Sequence, residues 1–122
     1  MISEEARNAL QRDQTIDITT TGRRSGKPRR LEIWFHNLDG RIYLSGLPGR
    51  RDWYANLLAR PEFTFHLKQS TQADISSRAY PVTDPAERER VLRELLNRIG
   101  RGEALGDWLE RSPLVEVELL DE

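Results

Sequence analysis

One stretch of this sequence concentrates residue types that could do chemistry: Thr19-Thr20-Thr21-Gly22-Arg23-Arg24-Ser25-Gly26-Lys27-Pro28-Arg29-Arg30. A run of β-branched residues breaks at a glycine and passes through a turn dense in cations. Glycines let backbone N–H groups approach an oxyanion, and Arg and Lys neutralise it. The glycine spacing is not that of a Walker A loop, and no helix follows. Three readings fit these residues. The turn holds an anionic ligand, or it is a solvated turn whose cations hold nothing. Alternatively it is a basic patch that, with Trp34, Trp53 and Tyr54, stacks nucleic-acid bases. A formal net charge of −1 and the lack of a recognised nucleic-acid motif argue against the third, so no nucleic-acid partner is expected.

The charge is unevenly spread. Residues 22–60 hold nine basic and three acidic side chains, whereas residues 82–122 hold eleven acids and six arginines. An anionic ligand therefore belongs with the first of these segments, and the second reads as solvated helix surface. Arginine outnumbers lysine 17 to 2, and its planar fork suits bidentate contact with phosphate or carboxylate.

Other chemistry is sparse. There is no cysteine, which removes disulfides, thiolate metal sites and cysteine nucleophiles together. The histidines are His36 and His66. Both fall in strand-like runs, on the face opposite the main apolar alternation, where a cross-strand pair is conceivable. Two histidines alone seldom make a metal site, so no metal is expected. No Ser-His-Asp or paired-carboxylate pattern stands out, and no catalytic side chain is assigned. Trp53 and Trp108 sit at helical apolar spacing and read as core anchors. Trp34 shares its face with Glu32 and His36, where an uncovered indole marks a ligand wall or a dimer interface.

These residues need a scaffold, and the patterning describes one. Ser3 caps a short helix to Arg12. Strands are predicted over Thr15–Thr21 (Ile16 and Ile18 inward), Arg29–Asn37 (Leu31, Ile33 and Phe35 inward) and Arg41–Ser45, with Asp39-Gly40 as the hairpin turn between the last two. Gly46-Leu47-Pro48-Gly49 interrupts the pattern. A helix over Arg51–Ala59 should bury Trp53 and Leu57, with Tyr54 and Leu58 beside them. Further strands carry Phe63, Phe65 and Leu67, then Ala73, Ile75, Ser77 and Ala79. Asp84-Pro85-Ala86-Glu87 opens a helix with a capping box, Val91, Leu92, Leu95 and Leu96 as its stripe, and Gly100 as its stop. A second short helix holds Leu105, Trp108 and Leu109, and a last strand over Leu114–Leu120 turns Val115, Val117 and Leu119 inward. Hairpins with helices inserted between strands argue for a small, mainly β barrel with appended helices, and against a doubly wound parallel sheet.

Two motifs in order also resemble a known family. Thr20-Thr21-Gly22-Arg23-Arg24-Ser25-Gly26-Lys27-Pro28-Arg29 is similar to the signature of the deazaflavin-dependent nitroreductase and quinone reductase family, whose members use coenzyme F420. Downstream, Asp39-Gly40, then Tyr43-Leu44-Ser45-Gly46, then Trp53-Tyr54-Ala55-Asn56-Leu57-Leu58-Ala59-Arg60-Pro61 continue the likeness over residues 15–68. The resemblance implies an α+β, mainly β fold: a split β-barrel of the FMN-binding, pyridoxamine-phosphate-oxidase-like kind, with about six antiparallel strands and three or four helices. It further implies that Arg23, Arg24, Ser25 and Lys27, with Arg29 or Arg30, hold the cofactor's phosphate or charged tail. Ser45, Gly46, Leu47 and Trp53 would border the deazaflavin ring. The implied reaction is hydride transfer from reduced coenzyme F420 to a quinone, nitro compound or enone, which needs no catalytic triad because the cofactor supplies the hydride.

Two departures qualify the substrate range. The loop from Ser45 to Trp53 is shorter than in that family and carries Arg50 and Arg51, and no tyrosine follows Tyr80 to close over a ring. An open ring face and a slow, broad reductase are therefore expected. The alternative is a non-catalytic split-barrel protein that binds FMN or another anionic or apolar ligand. A single domain over residues 1–122 follows from the length. The start of the chain has no basic segment followed by an apolar one, and no stretch is apolar enough to insert in a membrane, so a cytoplasmic chain is expected. Partners are then a small-molecule cofactor and acceptor, with a homodimer suggested by the flavin-binding relatives of the fold.

Overall fold

In the computed structural model, which describes residues 2–120, six strands close into an antiparallel barrel. They are β1 (Thr15–Thr21), β2 (Pro28–Leu38), β3 (Arg41–Ser45), β4 (Glu62–Leu67), β5 (Ala73–Pro81) and β6 (Leu114–Leu119). The order around the barrel is β1-β2-β3-β6-β5-β4, so closure leaves no free edge. The helices are α1 (Glu4–Arg12), α2 (Asp52–Ala59), α3 (Pro85–Arg98) and α4 (Leu105–Arg111), with a 3-10 turn at Gly102–Ala104.

Local signals account for these bounds. The Ser3 hydroxyl accepts from the Ala6 N–H at 3.1 Å, and the Asp84 carboxylate accepts from the Glu87 N–H at 3.0 Å. Pro85 occupies the first turn of α3, where its missing N–H costs nothing. In the β2–β3 hairpin both Asp39 (φ 55) and Gly40 (φ 97) take left-handed conformations, the type I′ geometry whose twist matches that of the strands.

Alternation places the main core inside the barrel. Ile16, Ile18, Phe35, Leu44 and Phe65 are almost wholly buried there, with Phe35 and Phe65 edge to face at 5.4 Å. Ala6 and Leu10 of α1, and Trp53 and Leu57 of α2, belong to the same cluster. A second cluster forms where α3 and α4 cover β3 and β6: Tyr43, Leu92, Leu95, Leu96, Trp108 and Leu114. Arg88 secures this layer. Its guanidinium donates to the carbonyls of Val82, Trp108, Leu109 and Ser112 at 2.9–3.3 Å, satisfying the open C-terminal end of α4 and so fixing Trp108.

Two sequence expectations need correction. Leu58 is not buried but 53% exposed, because α2 is only eight residues long and packs through one face. His36 and His66 are not cross-strand neighbours either. β1 lies between their strands, and His66 bridges Thr19 and Asp74, at 2.7 Å each, across β1, β4 and β5. Among the described residues no group of three or more potential metal ligands occurs, and no helix is long and apolar enough to cross a membrane.

Candidate functional site: an arginine cleft joined to a tryptophan cleft

The cation-rich turn is the β1–β2 connection. It is closed by backbone hydrogen bonds from Gly22 N–H to the Lys27 carbonyl at 2.8 Å and from Gly26 N–H to the Gly22 carbonyl at 2.9 Å. The Ser25 hydroxyl accepts from the Lys27 N–H at 3.1 Å. A Cβ at position 22 would lie 2.6 Å from the Ser25 hydroxyl and 3.3 Å from the Lys27 carbonyl, so a larger residue there would have to turn the Ser25 side chain away and crowd the turn.

α2 holds this turn in place through a residue that sequence reasoning did not single out as a site residue. Asn56 is 5% exposed. Its Oδ1 accepts from the Arg23 N–H at 3.0 Å, and its Nδ2 donates to Thr20 Oγ1 at 3.2 Å. The only signal was an amide one helical turn beyond Trp53, on the face that packs. Asn56→Ala leaves two buried groups short of a partner, so a stability loss of about 1–3 kcal/mol is expected, with faster amide exchange at Arg23. Unchanged melting and exchange would show that the turn holds itself.

Two clefts meet at this junction. The first has a volume of about 480 Å³, and Arg23, Arg24, Ser25, Arg29 and Arg30 line it together with Asp52, Trp53 and Asn56. Arg30 is partly committed to Asp17 at 3.0 Å, and Arg23 lies 3.9 Å from Asp52. Lys68 first, and Arg30 after it, hold the Asp17 carboxyl below its usual range. Arg24 and Arg29 make no ion pair among the described residues, which leaves their forks open to a ligand. Lys27 lines neither this cleft nor the next. It lies two residues before Arg29 on the far limb of the turn, exposed to solvent.

The second cleft, about 590 Å³, is mostly apolar. β2 supplies Leu31, Ile33, Trp34 and His36, and the segment after β3 supplies Ser45, Gly46 and Leu47. Trp53 closes one side, and Ile99, Arg101 and Trp108 reach it from the α3–α4 junction. Leu31 and Trp53 line both clefts. All three tryptophans of the chain therefore meet in one place. Residues of the C-terminal helices, Ile99 and Trp108, thus form part of the cleft's wall. Ser45 lines the cleft, but its hydroxyl donates to the Pro113 carbonyl at 2.7 Å because the β3–β6 pairing brings that carbonyl alongside.

The His36 side chain makes no hydrogen bond among the described residues, and burial pulls its imidazole down to about 4. The unfolded chain takes up a proton on this residue as pH falls below about 6.5, while the folded protein refuses it until about pH 4. Stability should therefore drop across that window, by roughly 3 kcal/mol in full. Urea unfolding at pH 7 and pH 4.5 tests this, with His36→Gln expected to remove most of the drop. The Asp17 contribution arises from its ion pairs and has the same sign, and it is lost only as pH falls through the ordinary aspartate value of 3.8 and below.

Known proteins share the sequence pattern and the fold of this chain. The model of the F420H(2)-dependent quinone reductase family matches residues 3–117. The structure resembles that of the conserved hypothetical protein Rv2991 from Mycobacterium tuberculosis, with a TM-score of 0.77 and 21% identity over 99% of this chain and 82% of that one. It also resembles an F420-H2 dependent reductase (FDR-A), with a TM-score of 0.66 and 21% identity over 87% and 95% of the two chains. The heme storage protein HutZ from Vibrio cholerae matches with a TM-score of 0.74 and 16% identity, over 100% and 93%. At these identities the structural likeness is one of fold, the split β-barrel. The match over nearly the whole length carries more: this chain belongs to the F420H(2)-dependent quinone reductase family, and it is an oxidoreductase that takes its hydride from coenzyme F420.

Proposed function

We propose that the chain reduces small planar acceptors, quinones first and nitroaromatics and enones besides, with the coenzyme's anionic tail in the arginine cleft and its ring in the tryptophan cleft. The observation that carries this reading is the junction itself. A cation-lined cleft and an apolar one adjoin, with Trp53 and Leu31 as their common wall. The donor set fits such a coenzyme, since Arg24 and Arg29, which make no ion pair among the described residues, offer guanidinium forks for phosphate or carboxylate oxygens. Beside Gly46 the space is also tight. A Cβ there would touch Arg51 and Trp53 at 3.6 and 3.9 Å, narrowing the slot a flat ring would enter.

When bound, the reduced coenzyme supplies the hydride. The protein's residues do the rest. Arg23, Arg24, Arg29 and Arg30 hold charge, and Asn56 holds the turn that carries the first two. Trp34, Trp53 and Trp108 exclude water from the reacting face and offer flat surfaces to a flat acceptor. Few polar groups aim into this cleft, so discrimination among acceptors should be weak.

Stopped-flow absorbance of the reduced coenzyme, mixed with and without protein against a panel of quinones, nitroaromatics and enones, tests the proposal. Saturable acceleration with menadione, and smaller differences among other acceptors than between protein and buffer, are expected. Binding of the coenzyme without acceleration by any acceptor would sink the assignment of acceptors. Equal binding of FMN would sink the fit argued for the tail.

A further inference from the structure

Hydride transfer to a quinone leaves work that the cofactor does not do. The acceptor gains a C–H or O–H bond and two electrons, so one carbonyl oxygen becomes an oxyanion. One further proton from solvent then completes the hydroquinone. In water that oxyanion is solvated at once, but in an apolar cleft it needs a hydrogen-bond donor already in place.

The tryptophan cleft contains few candidates. The Ser45 hydroxyl is spent on Pro113. Arg51 donates one N–H to the Arg50 carbonyl at 3.2 Å and keeps others, but it is a permanent cation that attracts any anionic group alike. Glu32 is an acceptor, and it is held by Lys68. Arg101 is exposed and lies beyond the end of α3, at the rim. The indole N–H groups of Trp34, Trp53 and Trp108 also line the cleft and donate to nothing among the described residues, but an indole has no acceptor nitrogen. His36 differs from all of these in carrying a donor and an acceptor on one ring, so it can take up a proton from solvent on one side while it donates on the other. It lies on β2 two residues beyond Trp34, on the same face of the strand, and it lines the cleft. Its nitrogens have no partner among the described residues, yet they are not sealed off: among those residues the one side-chain polar atom that is both fully buried and unpartnered is the Ser112 hydroxyl.

We infer that His36 is the group that donates a hydrogen bond to the acceptor's carbonyl or nitro oxygen, stabilising the charge that the arriving hydride creates there. A neutral imidazole always carries one N–H, and burial keeps this one neutral at pH 7. A neutral donor also avoids placing a permanent cation against the apolar walls, and it stabilises the oxyanion more than the uncharged carbonyl. This assignment rests on the proposal that acceptors occupy the tryptophan cleft. It adds the residue that converts such a cleft from a container into a catalyst.

The two-histidine composition makes a direct test available in the unaltered protein. With 15N-labelled imidazoles, menadione added to the complex with oxidised coenzyme should shift the His36 ring resonances. Those of His66, held by Thr19 and Asp74 on other strands, should stay in place. Tryptophan emission reports occupancy in the same sample, since every tryptophan lines the cleft. For rates, His36→Phe keeps the ring and removes the donor, and should lower kcat for menadione about 10²-fold with KM and coenzyme affinity changed little. His36→Gln restores an N–H donor and should recover much of that loss. Quenching by menadione without a His36 shift, or equal kcat in the wild type and His36→Phe, overturns the role of His36 and leaves the cleft assignment standing. Absence of quenching, with a menadione KM indifferent to Trp34→Ala, overturns both.

Discussion

Alanine at both Arg24 and Arg29 should weaken binding of the oxidised coenzyme by roughly 10²- to 10⁴-fold, on the scale of about 1.5–3 kcal/mol for each charge-assisted hydrogen bond removed. The fold should hardly notice. Both side chains are exposed, and neither makes an ion pair among the described residues, so the melting transition should move by about the ±0.5 kcal/mol typical of surface changes. Lys27→Ala is the internal control. It removes a cation from the same turn but from neither cleft, and it should cost little affinity beyond a salt-dependent contribution. Arg30→Ala should fall between, because its guanidinium is shared with Asp17. Calorimetric titration of the four proteins at two salt concentrations separates these outcomes. If the double variant binds as well as the wild type, the arginine cleft does not hold the tail. If Lys27→Ala is as damaging as the double variant, net charge rather than placed forks explains the affinity.

The contrast between Lys27 and Arg29 shows where sequence reasoning stops. Five cations were visible in the turn as types and spacings, but a cleft is defined by direction. Direction came from where β2 begins and from α2 docking over the turn through Asn56, a contact spanning 33 positions from Arg23. The strands themselves were legible because a period of two writes the core face into the residues. Ile16 and Ile18, or Phe63, Phe65 and Leu67, are buried as their alternation says. The same logic misleads on β3, where Ile42 and Leu44 face the barrel but Tyr43, on the other face, is 1% exposed. A second layer covers that face, and nothing local to Arg41–Ser45 announces it. The layer also decides what His36 becomes. As a sequence position it was a polar residue on an outer face. Under α3 and α4, beside three indoles drawn from positions 34, 53 and 108, it is a half-buried donor in a cleft. Closure of the barrel by β3 against β6, and the four carbonyls gathered by Arg88, are long-range facts of the same kind.

Trp53 bears on both structure and chemistry, and its substitution should have the largest effect on the fold. Its side chain is 6% exposed, packs in the barrel core with Leu57 and meets Tyr54 edge to face at 6.0 Å. It is also the wall common to the two clefts. Trp53→Ala should cost about 3–5 kcal/mol, as large-to-small changes of buried aromatics do, and should merge the clefts into one open trough. Trp53→Phe keeps an aromatic ring at the core position and should cost clearly less than the alanine variant. Because phenylalanine is smaller, the partition between the clefts is thinned even where the core survives. Coenzyme affinity should therefore fall in Trp53→Phe by more than its melting shift accounts for. Urea unfolding and coenzyme titration on both variants, each measured where the protein remains folded, distinguish the two roles. Affinity that tracks stability in both variants would make Trp53 a core anchor alone. Affinity lost in Trp53→Ala with wild-type unfolding would make it a ligand wall alone. Only a large stability loss in the alanine variant together with excess affinity loss in the phenylalanine variant matches a side chain that packs the barrel and divides its two clefts.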